Sequence, residues 1–206
     1  MAAPAEATMQ NLTGSWTLSK AQSGEFDPIF AIQGIPWLIR KVISMATLSM
    51  KVAHDVEAET GTKTIVFTMM VSIAIAGLGE EKEVRFLDGR EQLHSSALFG
   101  TSAAQSRLVD LTTAKGHDGE PLDPSLYRDF LPEGVPGGEN NLYDLIVHQT
   151  NGWIMEQVWG FGMVNDERHL IRTLVIKKGD KVAYTKAVYD WNGKGADSQE
   201  ALAPVA

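Results

Sequence analysis

The chain has no cysteine among its 206 residues. That excludes disulfides, zinc-thiolate sites and thiol nucleophiles together. Positive charge is also scarce: Lys and Arg number 18 against 26 Asp and Glu, a net charge of −8. Such a surface repels nucleic-acid phosphates and anionic membranes, so neither is expected as a partner. Long apolar runs are missing as well. The longest, around Ile65–Leu78, is too short to span a bilayer and is broken by Thr68 and Ser72, so no membrane insertion is expected. The first ten residues carry neither a basic nor an apolar block, so they do not read as a secretion signal, and a cytoplasmic location is expected. The five histidines (His54, His94, His117, His148, His169) fall on separate segments, without HxH or HExxH spacing. No metal site is expected from them. There is no strand-bound GxGxxG, no Walker loop and no GxSxG elbow, so no cofactor is expected.

What is present is β pattern. Hydrophobic residues make up 44% of the chain, enough for one core. Gly14-Ser15-Trp16 sits on a short apolar segment, Leu12–Leu18. Two helical segments follow, Phe26–Gln33 and Pro36–Ser44. Asp27-Pro28 is expected to cap the first, and Gly34 to end it. In the second, Ile35, Leu38, Ile39, Val42 and Ile43 form one stripe, with Arg40 and Lys41 away from it. Alternating runs follow at 46–55, 64–76, 81–87, 92–101 and 105–111, then at 142–149, 153–163, 169–176 and 181–191. Short turns such as Gly77–Gly79, Asp88-Gly89, Thr150-Asn151-Gly152, Asn165-Asp166 and Lys178-Gly179-Asp180 make neighbouring strands antiparallel. The expectation is an all-β fold: an up-and-down antiparallel β-barrel of about ten strands, capped by two short helices. One barrel domain would occupy 11–191, with its helical cap at 26–44. Residues 1–10 are expected to be a disordered segment and 192–206 a flexible tail. The Gly- and Pro-rich stretch 112–140 is too long for an ordinary connection. It reads as an insertion, a second lid or a partner-binding loop, with a short helix from Asp123 through Leu131.

These features resemble the calycin superfamily, lipocalin-like, and within it the intracellular fatty-acid-binding proteins. The matching residues are Gly14-Ser15-Trp16-Thr17-Leu18, Phe26-Asp27, Arg40-Lys41-Val42, and the closing hairpin Leu174–Val182 ending in Val188-Tyr189. The resemblance implies a barrel with an internal cavity for a hydrophobic ligand. One position departs from it. The family grips a carboxylate with an Arg-x-Tyr triplet on the final strand; here Tyr189 matches the tyrosine, but Ala187 stands where the arginine belongs.

Candidate ligand-binding residues are Trp153, Met155, Gln157 and Trp159, which share one strand face, with Arg172, Tyr184, Tyr189 and Trp37. Large, soft side chains around one amide suit a polycyclic or terpenoid ligand. Candidate catalytic residues are Arg172, as a carbonyl or anion clamp; Glu156, as an acid if it points inward; and His148, as a base sharing a face with Asp144. Each has an ordinary alternative: a snorkelling arginine, a solvated glutamate, an exposed polar face. Two readings of function stand. One is a binding protein for a hydrophobic small molecule, lipid-, terpenoid- or polyketide-like. The other is a cofactor-free cyclase or isomerase of secondary metabolism, pericyclase-like, using the same cavity as a template.

Overall fold

The computed structural model describes residues 1–75 and 78–194, with side chains undescribed at 73–75, 78 and 79. The expected tail beyond 194, and part of the expected turn at Gly77–Gly79, lie outside the described residues. The elements are β1 (Gly14–Leu18), α1 (Asp27–Gln33), α2 (Trp37–Met45), β2 (Leu48–Val56), β3 (Lys63–Ile75), β4 (Leu78–Phe86), β5 (Gln92–Ser96), β6 (Gly100–Val109), β7 (Asn141–His148), β8 (Ile154–Val164), β9 (Glu167–Lys178) and β10 (Lys181–Gly193). All ten strands belong to one antiparallel sheet, in the order β4-β3-β2-β1-β10-β9-β8-β7-β6-β5. The short β1 lies between β2 and β10 and joins the two halves of the chain. The sheet curls until β4 faces β5 and β6, a nearly closed barrel with one seam. Side chains span that seam: His94 of β5 to Glu81 of β4, and Arg85 of β4 to Ser106 of β6.

Gly14-Ser15-Trp16 has a packing reason. Trp16 is fully buried, and the Trp191 ring meets it edge-on with centroids 4.7 Å apart. A Cβ at residue 14 would fall inside the Trp191 indole, so only glycine lets β1 and β10 approach. Asn165 and Asp166, both at positive φ, make the tight turn that holds β8 against β9.

Several expectations need correction. Residues 1–10 are not disordered: Ala3, Ala7 and Met9 are buried in the core cluster with Trp16, Trp159 and Phe161. Arg168 is their clamp. Its guanidinium donates to the carbonyls of Pro4 and Ala7 (both 2.7 Å), grips Glu133 in bidentate fashion and lies 3.7 Å from the Phe161 ring centroid. A segment without hydrophobic periodicity gives no sign that an arginine far along the chain will collect its carbonyls. The expected run 92–101 is broken at residues 97–99 into β5 and the start of β6. Asp27 does not cap α1; Phe26 takes that position, and Asp27 pairs instead with Arg40 of α2 at 3.4 Å. The apolar stripe on α2 is only partly covered. Ile43 faces the barrel mouth, but so does Arg40, while Leu38 is exposed.

Immediately after the N-terminal strap, the backbone N–H of Leu12 donates to Nε2 of His54 (2.9 Å). Burial, with help from the charge of Lys63, pushes His54 down to about 4 from 6.5. The neutral ring is the folded form, so between those values the unfolded chain binds the extra proton. Stability is therefore complete above pH 6.5 and is lost as pH falls towards about 4, by about 3 kcal/mol at most. Urea midpoints followed across this range should fall for the wild type. They should fall less for His54→Gln, whose amide oxygen still accepts from Leu12.

The insertion is a buttress on the outside of the barrel rather than a lid. Leu122, Leu126, Tyr127 and Phe130 pack on Tyr143, Val158 and Val175, the outward side chains of β7, β8 and β9. The expected helix is a single 3-10 turn, Pro124–Leu126, with Asp123 accepting from the Ser125 N–H. Gly160 of β8 touches this layer so closely that a Cβ would enter the Phe130 ring. Gly160→Val should lift the insertion, cost about 1–3 kcal/mol and expose residues 112–140 to proteolysis. Unchanged cleavage rates would show that the insertion is not seated through this contact.

Candidate ligand cavity and active site

The inner face of the barrel encloses a cavity of about 550 Å³, within the range of small-molecule sites. Its roof is α1 and α2, through Phe26, Ile29, Phe30 and Ile43. Its wall carries Trp153, just before β8, and Met155, Gln157 and Trp159 of β8. Alternation along an extended strand puts these four on one side, and they face inward as expected. Arg172 of β9 lies opposite Trp159 in the ladder and also lines the cavity.

Among the described residues no carboxylate pairs with Arg172. Its Nη1 donates to Gln157 Oε1 at 3.5 Å. Its Cζ lies 4.9 Å from the Trp159 ring and 5.8 Å from the Tyr189 ring. Its Nε is buried and has no hydrogen-bond partner among the described residues. Its cross-strand partner on β10 is Ala187. Tyr189 does not reach the cavity wall. It is fully buried, stacked on Trp159 at 5.9 Å, and burial pushes its hydroxyl above the usual phenol range.

A second polar system lies across the floor. Asp144 is 1% exposed and accepts from the Trp159 indole N–H (2.8 Å) and the Ser106 hydroxyl (2.6 Å). It also pairs with Arg85 at 3.3 Å, and Arg85 pairs with Glu83 at 2.9 Å. Burial opposes the Arg85 charge; Asp144 and Glu83 outweigh it and hold the guanidinium above its ordinary pKa. The network fixes the tilt of the Trp159 ring on which Arg172 rests. Higher on the wall, His94 meets Glu81 at 2.8 Å, and both line the cavity. Arg85 and Glu83 went unnoticed in the sequence. The run Glu80–Phe86 is charged on both alternating faces, so no apolar side marks which one points in.

The remaining candidates lie elsewhere. Glu156 is buried on the outer face beneath the insertion, where its Oε1 accepts from the Tyr143 hydroxyl (2.7 Å) and the His117 N–H (2.8 Å). Burial, then this bond, pushes the Tyr143 hydroxyl up. Glu156 therefore ties down the insertion and does not face the cavity. His148 has both ring nitrogens engaged. Nδ1 accepts from the backbone of Thr150 and Asn151 (3.2 and 2.8 Å), which leaves Nε2 to donate to the Phe99 carbonyl (2.9 Å). It pins the β7–β8 turn and has no lone pair free for a ligand. Tyr184 is 50% exposed on the outer face, near Asp123, and Trp37 is 62% exposed on α2. Neither lines the cavity. Among the described residues no His, Asp and Glu group has metal-site geometry, and no helix is long and apolar enough to cross a membrane.

Comparison with solved structures supports the architecture. A fatty-acid-binding protein from Drosophila melanogaster brain superposes with a TM-score of 0.51, over 85% of this chain and 95% of its own, at 15% identity. As-p18, an extracellular fatty acid binding protein, gives 0.50 over 87% and 95%, at 12% identity. The fold is that of the fatty-acid-binding proteins. At such identities the likeness is one of fold alone. No protein-family model matches the chain. Among curated proteins, the chain is 23% identical to pericyclase pydY of Acremonium sp. over 197 residues, 95% of this chain and 100% of that protein. It is also 23% identical to probable pericyclase scpY of Mollisia scopiformis over 193 residues, 93% of this chain and 95% of that one.

Proposed function

We propose that the chain binds a hydrophobic small molecule, lipid-, terpenoid- or polyketide-like, in the capped barrel and promotes its cyclisation without a cofactor. The observation that carries this reading is Arg172: a half-buried guanidinium on the cavity wall, packed on Trp159, whose buried Nε has no hydrogen-bond partner and which meets no carboxylate among the described residues. A carrier would use such a cation to grip a carboxylate, whereas a catalyst would use it on a carbonyl. A cation fixed beside aromatic faces would hold a carbonyl oxygen and stabilise negative charge that grows on it as bonds reorganise. The apolar wall of Met155, Ile146, Leu174 and Phe67 would fold the rest of the molecule into its reactive shape, which removes much of the entropic barrier. The two curated relatives named pericyclases align over nearly the whole chain and support the same choice. The reading includes work in the cytoplasm on a diffusible substrate, without nucleic acid or metal.

A cyclisation of this kind changes shape and leaves mass unchanged, which gives the test. Metabolite extract from the producing organism lacking this gene is incubated with purified protein and followed by liquid chromatography and mass spectrometry. One compound should disappear as another of equal mass appears, with fewer C=C bonds and more rings in its nuclear magnetic resonance spectra. Retention of a compound by the protein with no equal-mass product would leave the carrier reading standing instead.

A further inference from the structure

Among the described residues, one pair on the cavity wall has the chemistry of an acid–base catalyst and no part in the binding geometry above. His94 of β5 and Glu81 of β4 meet across the barrel seam, Nε2 to Oε1, at 2.8 Å. Both line the cavity, with Met69 opposite Glu81 in the ladder and Ser102 opposite His94, and with Glu83, Ser96 and Leu98 also on the wall. A carboxylate only accepts, so a neutral His94 must donate to Glu81 from Nε2. That leaves the lone pair on Nδ1, which makes no hydrogen bond to the described residues. Glu81 thus fixes the tautomer and would stabilise the imidazolium once His94 takes a proton. This pairing contrasts with His148, whose two nitrogens are both consumed by backbone. It also contrasts with Asp144, which is saturated by Arg85, Ser106 and Trp159.

We infer that His94 and Glu81 form a general acid–base dyad that shifts a proton along an enolisable substrate, a step separate from ring closure. The inference rests on the cavity being the substrate site. Nδ1 of His94 removes a proton from the carbon next to a carbonyl. The C–H electron pair becomes the C=C of a dienolate, and the carbonyl π pair moves onto its oxygen. The imidazolium, held by Glu81, then returns the proton to the γ-carbon. The net result is migration of one double bond into conjugation; no oxidant, reductant or leaving group takes part. Such a shift creates the conjugated π system that an intramolecular cyclisation consumes. The substrate class is therefore a hydrophobic β,γ-unsaturated or otherwise enolisable carbonyl compound.

The test uses a long-chain β,γ-unsaturated methyl ketone as the probe. Its conversion to the conjugated isomer is followed by the ultraviolet absorbance of the enone, and its binding by quenching of tryptophan fluorescence. Wild-type protein should accelerate conjugation, and a ketone deuterated at its α-carbon should deliver part of that deuterium to the γ-carbon of the product. His94→Gln should bind the ketone yet slow conjugation by about a hundredfold or more, the usual share of a positioned base. Glu81→Gln should slow it less and flatten its pH profile. A purely structural seam contact would lower the thermal midpoint in both variants without touching the rate of proton transfer. Nitrogen-15 spectra of the wild type should place the His94 proton on Nε2. Absence of acceleration by the wild type, equal rates in His94→Gln, or a proton on Nδ1 would each overturn the dyad. None of these results bears on the equal-mass test of cyclisation, since the ketone has nothing to cyclise.

Discussion

Asp144→Ala is expected to destabilise the barrel by about 3–5 kcal/mol, a large part of the about 5–15 kcal/mol that holds a domain folded. The change removes one carboxylate and disturbs three partners at once. Arg85, buried, keeps only Glu83 as a counter-charge. The Trp159 indole N–H and the Ser106 hydroxyl each lose their acceptor inside a low-dielectric interior. Asp144→Asn keeps an acceptor for the indole while losing the charge, so it should cost less. The check is the denaturant midpoint of each variant, with near-ultraviolet circular dichroism reporting the Trp159 environment. Equal midpoints for wild type and Asp144→Ala would mean that water reaches Arg85 and that the floor network is not a buried one.

The same residue shows where sequence reading reaches its limit. The alternation of Leu142, Asp144, Ile146 and His148 places all four on one strand face. It does not say that Asp144 meets an arginine from a strand on the far side of the seam, because that contact depends on closure of the barrel. Trp153, Met155, Gln157 and Trp159 were legible because one side of their strand is large and apolar in every residue but one. Glu156 was not, because β8 is buried on both sides: the cavity covers one and the insertion the other. A strand that is half-buried signals its inside by contrast, and β8 has none. The helical cap was legible from Gly34, Pro36 and the apolar spacing. The side of α2 that meets the barrel was not, because the Arg40–Asp27 pair pulls a charged residue to the mouth.

Ala187 and Arg172 carry the same lesson one step further. Read along the final strand, Ala187 is a missing cation. Read across the ladder, it is the small residue directly opposite Arg172. Register decides between the two, and only the paired sheet supplies it.

Arg172→Met is expected to leave the fold intact and to weaken binding and turnover by about tenfold to a hundredfold, the worth of about 1.5–3 kcal/mol for a charge-assisted hydrogen bond. Methionine roughly keeps the packing against Trp159 and Tyr189, and no carboxylate is orphaned because none is paired with Arg172 among the described residues. Removing a half-buried cation that has no counter-ion among the described residues breaks no ion pair, so the thermal midpoint should hold. That combination separates a functional arginine from a structural one: Arg168→Met, by contrast, frees the carbonyls of Pro4 and Ala7 and leaves Glu133 unpaired, and should lower the midpoint. The loss of affinity in Arg172→Met should be larger for ligands bearing an oxygen acceptor than for plain hydrocarbons of equal size, since only the former engage the guanidinium. Titration of paired ligands, ketone against alkane, by tryptophan quenching reads the difference directly. If both members of such a pair bind Arg172→Met as they bind the wild type, the guanidinium is only packing for Trp159, and the oxygen-holding role fails.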